Sequence, residues 1–171
     1  MPNFIRNYIH GGTYFFTLVT GDRIKIFSDK RCIEAFLVAL STVQKYHRFD
    51  LIAYCVLPDH IHLLMTLAED DCNFSSRIKE VKKKTTTAIR KIIGNPKLMV
   101  WQKRFWEHTI RNENDFQQRF DYIHYNPIKH GYTETYDWER SSYWNYYSKD
   151  ENDIPTIDPK TFRDSMYLYG E

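Results

Sequence analysis

Hydrophobic and polar residues recur with two different periods along this chain, and the two periods predict strands and helices in turn. Residues 14–20 (YFFTLVT) are aromatic and β-branched, which predicts a strand. Ser28 or Asp29 can cap the helix that follows, in which apolar side chains recur at helical spacing. Residues 50–57 (DLIAYCVL) form a continuous apolar run, which is typical of a central strand.

Residues 58–59, a Pro-Asp pair, predict a turn after the second strand. Residues 61–67 alternate again and predict a third strand beyond this turn. Asn73 or Ser75 then begins a long helix, which ends by Gly94.

The last predicted elements are a strand over residues 103–111 and a final helix. We expect this helix to be capped by Asn114 and to end before Pro127. The order of elements is then β, α, β, β, α, β, α. This order predicts the α+β class, as a ferredoxin-like βαββαβ sandwich with an antiparallel sheet and an additional C-terminal helix.

Charge is divided unevenly along the chain. Its 171 residues hold 24 Lys and Arg against 22 Asp and Glu, but residues 1–132 hold 20 basic and 13 acidic side chains and residues 133–171 hold 4 and 9. Within the basic part, residues 77–91 hold seven basic side chains and one acidic one. This stretch can attract phosphate groups, and a solvated helix face is the alternative.

Length and composition exclude several classes of protein. The chain suits one compact domain, and no apolar run approaches the roughly 18 residues of a membrane span. The N-terminal residues lack the basic and apolar segments of a signal peptide. Three widely spaced cysteines, Cys32, Cys55 and Cys72, form neither a zinc knuckle nor a disulfide framework. We therefore expect a protein of the reducing cytoplasm.

Two histidines on one strand form the first candidate site. Because side chains alternate along a strand, His60 and His62 point to one side of it, and Ile61 and Leu63 to the other. The two histidine Cα atoms are then about 7 Å apart, close enough for both imidazoles to bind one divalent ion. Two histidines do not complete a metal site, and half-exposed polar residues on a solvent-facing strand are the alternative.

The final predicted helix carries a second candidate site. The apolar stripe that docks this helix onto the sheet consists of Phe116, Phe120 and Ile123. Tyr122 and Asn126 lie one turn apart on a flank of that stripe. They would present a hydroxyl nucleophile and a carboxamide metal ligand together. Tyr125 is the competing nucleophile, but it lies nearly opposite the stripe.

Four segments of the chain resemble those of a known family. They are GGTYFFTL (11–18), YCVLPDHIHLL (54–64), WQKRFWEHTIRN (101–112) and DYIHYNPIKHGY (121–132). In their order and spacing the chain resembles the REP-associated tyrosine transposases, bacterial relatives of single-tyrosine insertion-sequence transposases in the HUH endonuclease superfamily. The resemblance extends from about Arg6 to about Tyr147. Together with the change in charge after residue 132, it predicts a catalytic domain over residues 1–132 and an acidic C-terminal extension, 133–171, that packs on or near it.

The resemblance also implies roles for the candidate site residues. His60 and His62 would be the metal-binding histidines of the family motif, and Tyr122 the nucleophile. Asn126 would be the third ligand of Mg²⁺ or Mn²⁺, at a position where related enzymes use Gln. Asp59 departs from the family pattern, in which Asn is common, and it would either tune the metal or cap the turn.

The substrate implied by the resemblance is single-stranded DNA beside a REP hairpin, with a guide tetranucleotide next to the hairpin. Attack by Tyr122 would leave a 5′-phosphotyrosine and a free 3′-hydroxyl. The covalent bond keeps the phosphodiester energy, so strands could be rejoined without ATP. The resemblance further implies a monomer associated with the nucleoid, although related insertion-sequence enzymes are dimers.

Candidate DNA contacts are basic and aromatic side chains. They are Arg6, Lys82, Lys83, Lys84, Arg104, Trp106, Arg111 and Lys129. We expect the lysines to neutralise phosphates, and Arg104 and Trp106 to share one face of the fourth strand for phosphate contact and base stacking. Glu107 and His108 would either support the metal site or lie at a strand edge.

Other functions remain alternatives at this stage. An RNA-recognition module has the same element order, but its aromatic and glycine signature is missing. A histidine-triad hydrolase needs a third histidine at position 64, which is Leu64. A metal-dependent nuclease that uses water would leave no protein adduct, and a domesticated transposase would bind DNA with little transposition. The stretch from Tyr132 onward is a candidate gate for DNA, and deletion of residues 149–171 tests its acidic end.

Overall fold

The computed structural model describes residues 6–146, so the acidic end after residue 146, with its predicted gating role, lies outside the described residues. The regular elements are β1 (Thr13–Val19), α1 (Lys30–Tyr46), β2 (Phe49–Val56), β3 (His60–Leu67), α2 (Phe74–Ile93), β4 (Trp106–Thr109) and α3 (Glu113–Lys129). Short 3₁₀ turns lie at Gly21–Arg23, Ile26–Ser28 and Tyr143–Asn145. Among the helices of this part of the chain, none combines the length and hydropathy needed to cross a bilayer.

The four strands form one antiparallel sheet in the order β2, β3, β1, β4. With α1 and α2 as the two connections, this is the topology of a ferredoxin-like βαββαβ sandwich, and the predicted fold class is confirmed. Thr17 of β1 pairs with His62 on one side and with Trp106 on the other. The middle of β1 is therefore adjacent to both the histidine motif and the outer strand β4.

Each face of the sheet buries its own apolar cluster. Phe16 and Ile61 belong to the cluster beneath α1 and α2, whereas Phe15 and Leu64 belong to the cluster beneath α3. The predicted alternation of β3 is thus confirmed, with its histidines on the α3 side. The alternative of half-exposed histidines is wrong, because α3 covers this face and buries both imidazoles.

Local capping signals fix most of the helix ends. Asp29 caps α1 through its side chain, and Asn73 caps α2, as two of the predicted alternatives. Gly94 ends α2 in a left-handed conformation, with φ of 72°. The predicted start of α3 is wrong, because Asn112 rather than Asn114 caps the helix; its carboxamide oxygen accepts from the backbone N–H of Asp115 at 2.9 Å.

The predicted end of α3 is also wrong, because Pro127 lies inside the helix. The fixed φ of proline suits a helix, although Pro127 lacks the N–H group that would donate to the carbonyl of Ile123. The helix instead ends at Lys129, and Gly131 follows shortly after it with a φ of 70°. The N–H groups of Gly131 and Tyr132 donate to the carbonyls of Ile128 and Pro127, the hydrogen-bond pattern of a Schellman motif.

Strand β4 is shorter than the predicted strand over residues 103–111. Thr17 pairs with Trp106, and Thr20 forms an isolated bridge with Trp101. Two residues of β1 therefore lie opposite four residues on the other side, so the chain bulges away before Trp106. Arg104 lies in this exposed bulge, and the expectation that it shares a strand face with Trp106 is wrong.

Residues 136–146 run along the outer edge of β2. The backbone N–H of Val56 donates to the Arg140 carbonyl, and that of Ser142 to the Tyr54 carbonyl, both at 2.9 Å. This C-terminal segment also packs on α3 and buries Tyr125, whose ring lies 6.2 Å from that of Tyr136. Tyr125 is therefore buried as well, although its position in the helical pattern lies nearly opposite the docking stripe.

Candidate active site

Four predicted site residues meet between β3 and the second half of α3. The ring centroids of His60 and His62 are 5.0 Å apart, and those of His62 and Tyr122 are 5.4 Å apart. The Oδ1 atom of Asn126 lies 3.3 Å from Nε2 of His60. All four side chains are at most 3% exposed. The alternation of a strand and the i, i+4 spacing of a helix thus bring the four groups together.

Both histidines are held through the same ring nitrogen. Nδ1 of His60 lies 2.7 Å from a carboxylate oxygen of Asp59, and Nδ1 of His62 lies 3.1 Å from the hydroxyl of Thr17. Because a carboxylate only accepts hydrogen bonds, Nδ1 of His60 carries a proton and donates it to Asp59. The pairing of a histidine with a carboxylate in this way is frequent among metal-binding histidines.

The geometry around Asn126 tests whether a divalent cation fits this site. In a neutral His60 held by Asp59, Nε2 has only a lone pair, and it faces an amide oxygen that also has only lone pairs. A shared cation, a second proton on the imidazole, or a rotated carboxamide that presents its N–H group to Nε2 turns this contact into an attraction. Two ligands about 2.1 Å from one ion and at a right angle to each other lie about 3 Å apart, close to the observed separation.

The remaining donors near Asn126 are consistent with this interpretation. Within residues 6–146, no three His, Cys, Asp or Glu side chains converge as a metal cluster, and the amide oxygen of Asn126 lies beside the His60 imidazole. The buried amide nitrogen of Asn126 has no hydrogen-bond partner in the described part of the chain. The donor set of His60, His62 and Asn126 therefore fits a divalent cation.

Asp59 is itself held from the other side. The guanidinium group of Arg23, a residue with a φ of 52°, lies 3.4 Å from its carboxylate, and the hydroxyl of Thr20 donates to its backbone carbonyl. Burial alone would raise the pKa of the Asp59 carboxyl, but the hydrogen bond to His60 and the nearby positive charges lower it below its ordinary value. Asp59 is thus a charged partner that orients His60.

The hydroxyl of Tyr122 accepts a hydrogen bond from the ammonium group of Lys129 at 2.9 Å. The same nitrogen lies 5.0 Å from the centre of the Tyr122 ring. Lys129 was predicted as a DNA contact, and its contact with Tyr122 was not predicted. The available signal was the seven-residue spacing, since two turns of helix return a side chain to nearly the same face.

Two further residues beside the histidines were not predicted. Thr17 positions His62, and its signal was a polar residue on the face of β1 that it shares with Phe15. The ring of His130, an exposed residue, lies 4.9 Å from that of His60. Neither contact can be found without knowing which strand and which helix end lie next to the motif.

Two predicted DNA contacts are engaged elsewhere in the protein. The guanidinium group of Arg6 donates to the hydroxyl of Ser75 at 2.8 Å and lies 4.1 Å from the centre of the Phe105 ring. The ammonium group of Lys82 donates to the carbonyl of Gln102 at 2.8 Å, and burial lowers the pKa of this lysine. Both side chains therefore have structural partners.

The other predicted contacts differ in their position relative to Tyr122. Lys83 and Lys84 are exposed on α2, which packs on the sheet face opposite α3, and Arg104 is exposed in the bulge before β4. The structure does not bring these three residues to the candidate nucleophile. Trp106 and Arg111, by contrast, lie on the α3 side, at the outer edge of the sheet.

His108 neighbours Trp106 on β4 and connects this strand to α3. Its Nε2 atom lies 2.8 Å from the carboxylate of Asp115, and its ring is parallel to that of Trp106 within 6°. Burial lowers the pKa of His108, although the hydrogen bond to Asp115 opposes this effect. Its neighbour Glu107 lies 4.0 Å from Arg6. His108 thus positions the start of the helix that carries Tyr122.

Comparison with known proteins gives consistent matches over most of the chain. Residues 8–126 match the family model described as Transposase IS200 like. A Haemophilus influenzae protein with the name REP-associated tyrosine transposase is 41% identical over 152 residues, which cover 84% of this chain and 86% of that protein. The REP-associated tyrosine transposase of Escherichia coli K12 is 39% identical over 145 residues, covering 84% and 83%.

Solved structures give a similar result. A REP-associated tyrosine transposase bound to a REP hairpin superimposes with a TM-score of 0.75 at 37% identity, over 85% of this chain and 84% of that one. A Deinococcus radiodurans structure described as a transposase has a TM-score of 0.51 at 19% identity, over 70% and 93% of the two chains. At that identity, the second match shows a shared fold alone.

Proposed function

Because this chain belongs to the REP-associated tyrosine transposases of the IS200-like transposase family, we propose that it cleaves and rejoins single-stranded DNA beside a REP hairpin, with Tyr122 as the nucleophile. One observation carries the choice of nucleophile. The Tyr122 ring lies against the His62 imidazole, and its hydroxyl is held by Lys129. Tyr125 has no such position, because it packs against Tyr136 in the C-terminal segment.

The chemical step is a transesterification at phosphorus. The Tyr122 oxygen forms a bond to phosphorus as its hydroxyl proton leaves, the bond to the 3′-oxygen breaks, and that oxygen takes up a proton. The products are a 5′-phosphotyrosine and a free 3′-hydroxyl, and reversal with another 3′-hydroxyl rejoins strands. A free tyrosine has a pKa of about 10, so the positive charge of Lys129 would help by offsetting the negative charge that develops on the phenol oxygen.

The proposed metal ligands are His60, His62 and Asn126. A bound Mg²⁺ or Mn²⁺ would polarise the phosphate oxygens and stabilise their negative charge. The protein's own contribution is orientation. Asp59 and Thr17 hold the two imidazoles through Nδ1, so that the Nε2 atom of each ring is available to the metal. Burial of all the ligands excludes bulk water from this part of the site.

The proposal extends to the partners of the reaction. A guide tetranucleotide beside the hairpin follows from the family resemblance. A monomeric enzyme is supported by the site itself, because the histidines, Asn126 and Tyr122 all meet within one chain. No second copy of the chain is required to complete this group of proposed ligands and nucleophile.

The test uses labelled single-stranded REP DNA, Mn²⁺ or Mg²⁺, and denaturing gels. We expect a covalent adduct that carries the 3′ fragment, present in Tyr125→Phe and absent in Tyr122→Phe and in EDTA. Tyr125→Phe is the matched control, since it removes one buried tyrosine hydroxyl from the same helix. Cleavage without an adduct would instead indicate a nuclease that uses water, and binding without cleavage a nucleic-acid-binding module.

A further inference from the structure

A cleft of about 470 Å³ lies between β4 and the first two turns of α3. Its walls include Trp106 from the strand, Arg111 from the connection, and Asn114, Gln118 and Arg119 from the helix. None of these residues belongs to the proposed metal and nucleophile site. The volume is in the range of sites that hold small organic groups, from roughly 300 to 1,000 Å³.

One wall of the cleft is a fixed aromatic surface. Trp106 is half-buried; its indole lies parallel to the His108 ring at a centroid distance of 6.0 Å and packs edge-on against Phe15 at 5.7 Å. The guanidinium group of Arg119 lies 5.6 Å from the centre of the Trp106 indole. A rigid indole beside a cation is a surface on which a nucleobase stacks favourably.

The charge of the cleft favours a phosphate group. Its one lining carboxylate, Asp115, is surrounded by donors: it lies 2.8 Å from His108, 3.5 Å from Arg119 and 3.0 Å from the backbone N–H of Arg111. The negative charge is therefore largely compensated within the protein. The Arg111 side chain is exposed at the same cleft and adds a positive charge.

The helical wall offers hydrogen-bonding groups of the right kind for base edges. Asn114 and Gln118 are one turn apart on α3, and both are exposed along the cleft. Each carboxamide has a donor and an acceptor side by side, and such groups form paired hydrogen bonds with bases.

The position of the cleft connects it with the proposed chemistry. Phe15 contacts Trp106 on one side, and on the other side its ring lies 5.3 Å from His62 and 6.0 Å from Tyr122. One aromatic ring therefore separates the cleft from the nucleophile.

We propose that this cleft binds one unpaired nucleotide of the DNA strand, close to the scissile phosphate. The base stacks on Trp106, the amides of Asn114 and Gln118 contact its edge, and Arg111 contacts the adjoining phosphate. The assignment rests on single-stranded DNA as the proposed substrate, but it is independent of covalent catalysis.

The test scans a REP hairpin with unpaired flanks, in which each flanking nucleotide in turn is replaced by an abasic site. Binding is measured by fluorescence anisotropy with the full-length Tyr122→Phe protein, which does not cleave. We expect one abasic position to weaken binding about tenfold, the loss of one stacked base. Adding Trp106→Ala should weaken binding to intact DNA by a similar factor, and an abasic site at that one position should then weaken binding no further. With Trp106→Phe, the abasic site at that position should still weaken binding.

The proposal is overturned if Trp106→Ala leaves binding unchanged or weakens all abasic DNAs equally. Gln118→Ala, an exposed change, covers the case in which Trp106→Ala fails to fold; it should reduce discrimination among the four bases at the sensitive position. The adduct assay separates the two proposals. If the adduct forms but Trp106→Ala does not change the effect of any abasic position, the proposal for the cleft alone is overturned. If Trp106→Ala removes the effect of one abasic position but no adduct forms, the proposed tyrosine reaction alone is overturned.

Discussion

The hydrogen bond from Lys129 to Tyr122 joins the proposed nucleophile to a positive charge. Replacing the lysine by methionine removes a charge-assisted hydrogen bond, worth about 1.5–3 kcal/mol. At the scale of single residues we therefore expect Lys129→Met to lower the single-turnover cleavage rate about 10- to 100-fold at saturating DNA. Lys129→Arg should retain more of the rate.

A role of Lys129 in DNA binding alone predicts a different result. In that case Lys129→Met would weaken DNA binding and reduce its salt dependence, but the rate at saturating DNA would be unchanged. Lys83→Met is a suitable control, because Lys83 is an exposed lysine on the opposite layer. Rate and affinity measured together for the three variants distinguish the two roles.

The carboxylate of Asp59 is expected to act through His60. Asp59→Ala removes the acceptor that holds Nδ1 of the imidazole, and loss of such a partner lowers metal affinity about 10- to 100-fold. Asp59→Asn should lose less, since an amide oxygen still accepts from Nδ1. Calorimetric titration of the protein with Mn²⁺, without DNA, measures the effect. Asp50→Ala, a change at an exposed residue, is the control. If the Mn²⁺ affinity of Asp59→Ala is unchanged, as expected for Asp50→Ala, Asp59 acts only as a turn residue.

At the scale of elements, a left-handed glycine follows each of the helices α2 and α3. Gly94 and Gly131 have φ values of 72° and 70°, and a Cβ at either position meets no atom within 4 Å. Only the conformational cost of a left-handed alanine should therefore matter. We expect Gly94→Ala and Gly131→Ala each to lower the free energy of unfolding by about 1 kcal/mol.

Urea denaturation of both glycine variants provides the measurement. Equal losses would confirm that the cost is local to the backbone. A much larger loss for Gly131→Ala would mean that the end of α3 carries tertiary strain, in disagreement with the open surroundings of Gly131.

The ends of the helices were predictable where they depend on residues adjacent in sequence. They were less predictable where they depend on contacts with other elements. Asp29, Asn73 and Gly94 act on adjacent backbone groups, so the pattern included all three among its candidates. Asn112 and Asn114 are equally good caps in isolation. The choice is made by the connection from β4 and the contact between His108 and Asp115, which sequence periodicity does not contain.

The same distinction applies to the candidate site. The face of β3 that carries His60 and His62 follows from alternation, and the pairing of Tyr122 with Asn126 follows from helical spacing. The partners Thr17 and Lys129 depend on strand register and on the course of the helix beyond Pro127, and the rule applied to proline placed that helix end too early.

At the scale of the whole molecule, His124 couples α3 to the C-terminal segment. Its Nε2 atom lies 2.9 Å from the hydroxyl of Ser142, and burial lowers its pKa from 6.5 to about 4. An unfolded chain binds this proton below pH 6.5, whereas the folded chain resists it down to about pH 4. Stability should therefore fall as pH decreases through this range, by about 2 kcal/mol between pH 7 and pH 5.

The variant His124→Gln should remove most of this acid sensitivity. Urea denaturation of the wild type and the variant at both pH values provides the comparison. The expected result is a smaller difference between the two pH values for His124→Gln, whatever its stability at neutral pH. An unchanged difference would assign the sensitivity to other groups and contradict the role of His124.

The backbone hydrogen bonds between residues 136–146 and the outer edge of β2 limit how far this protein can be shortened. A fragment ending at residue 132, where the charge changes sign, would leave β2 as a bare outer strand with unpaired backbone groups. Such edges pair with one another and promote aggregation. The smallest fragment suited to engineering or to fusion with a second protein therefore ends no earlier than residue 146, even though every proposed catalytic residue lies before residue 132.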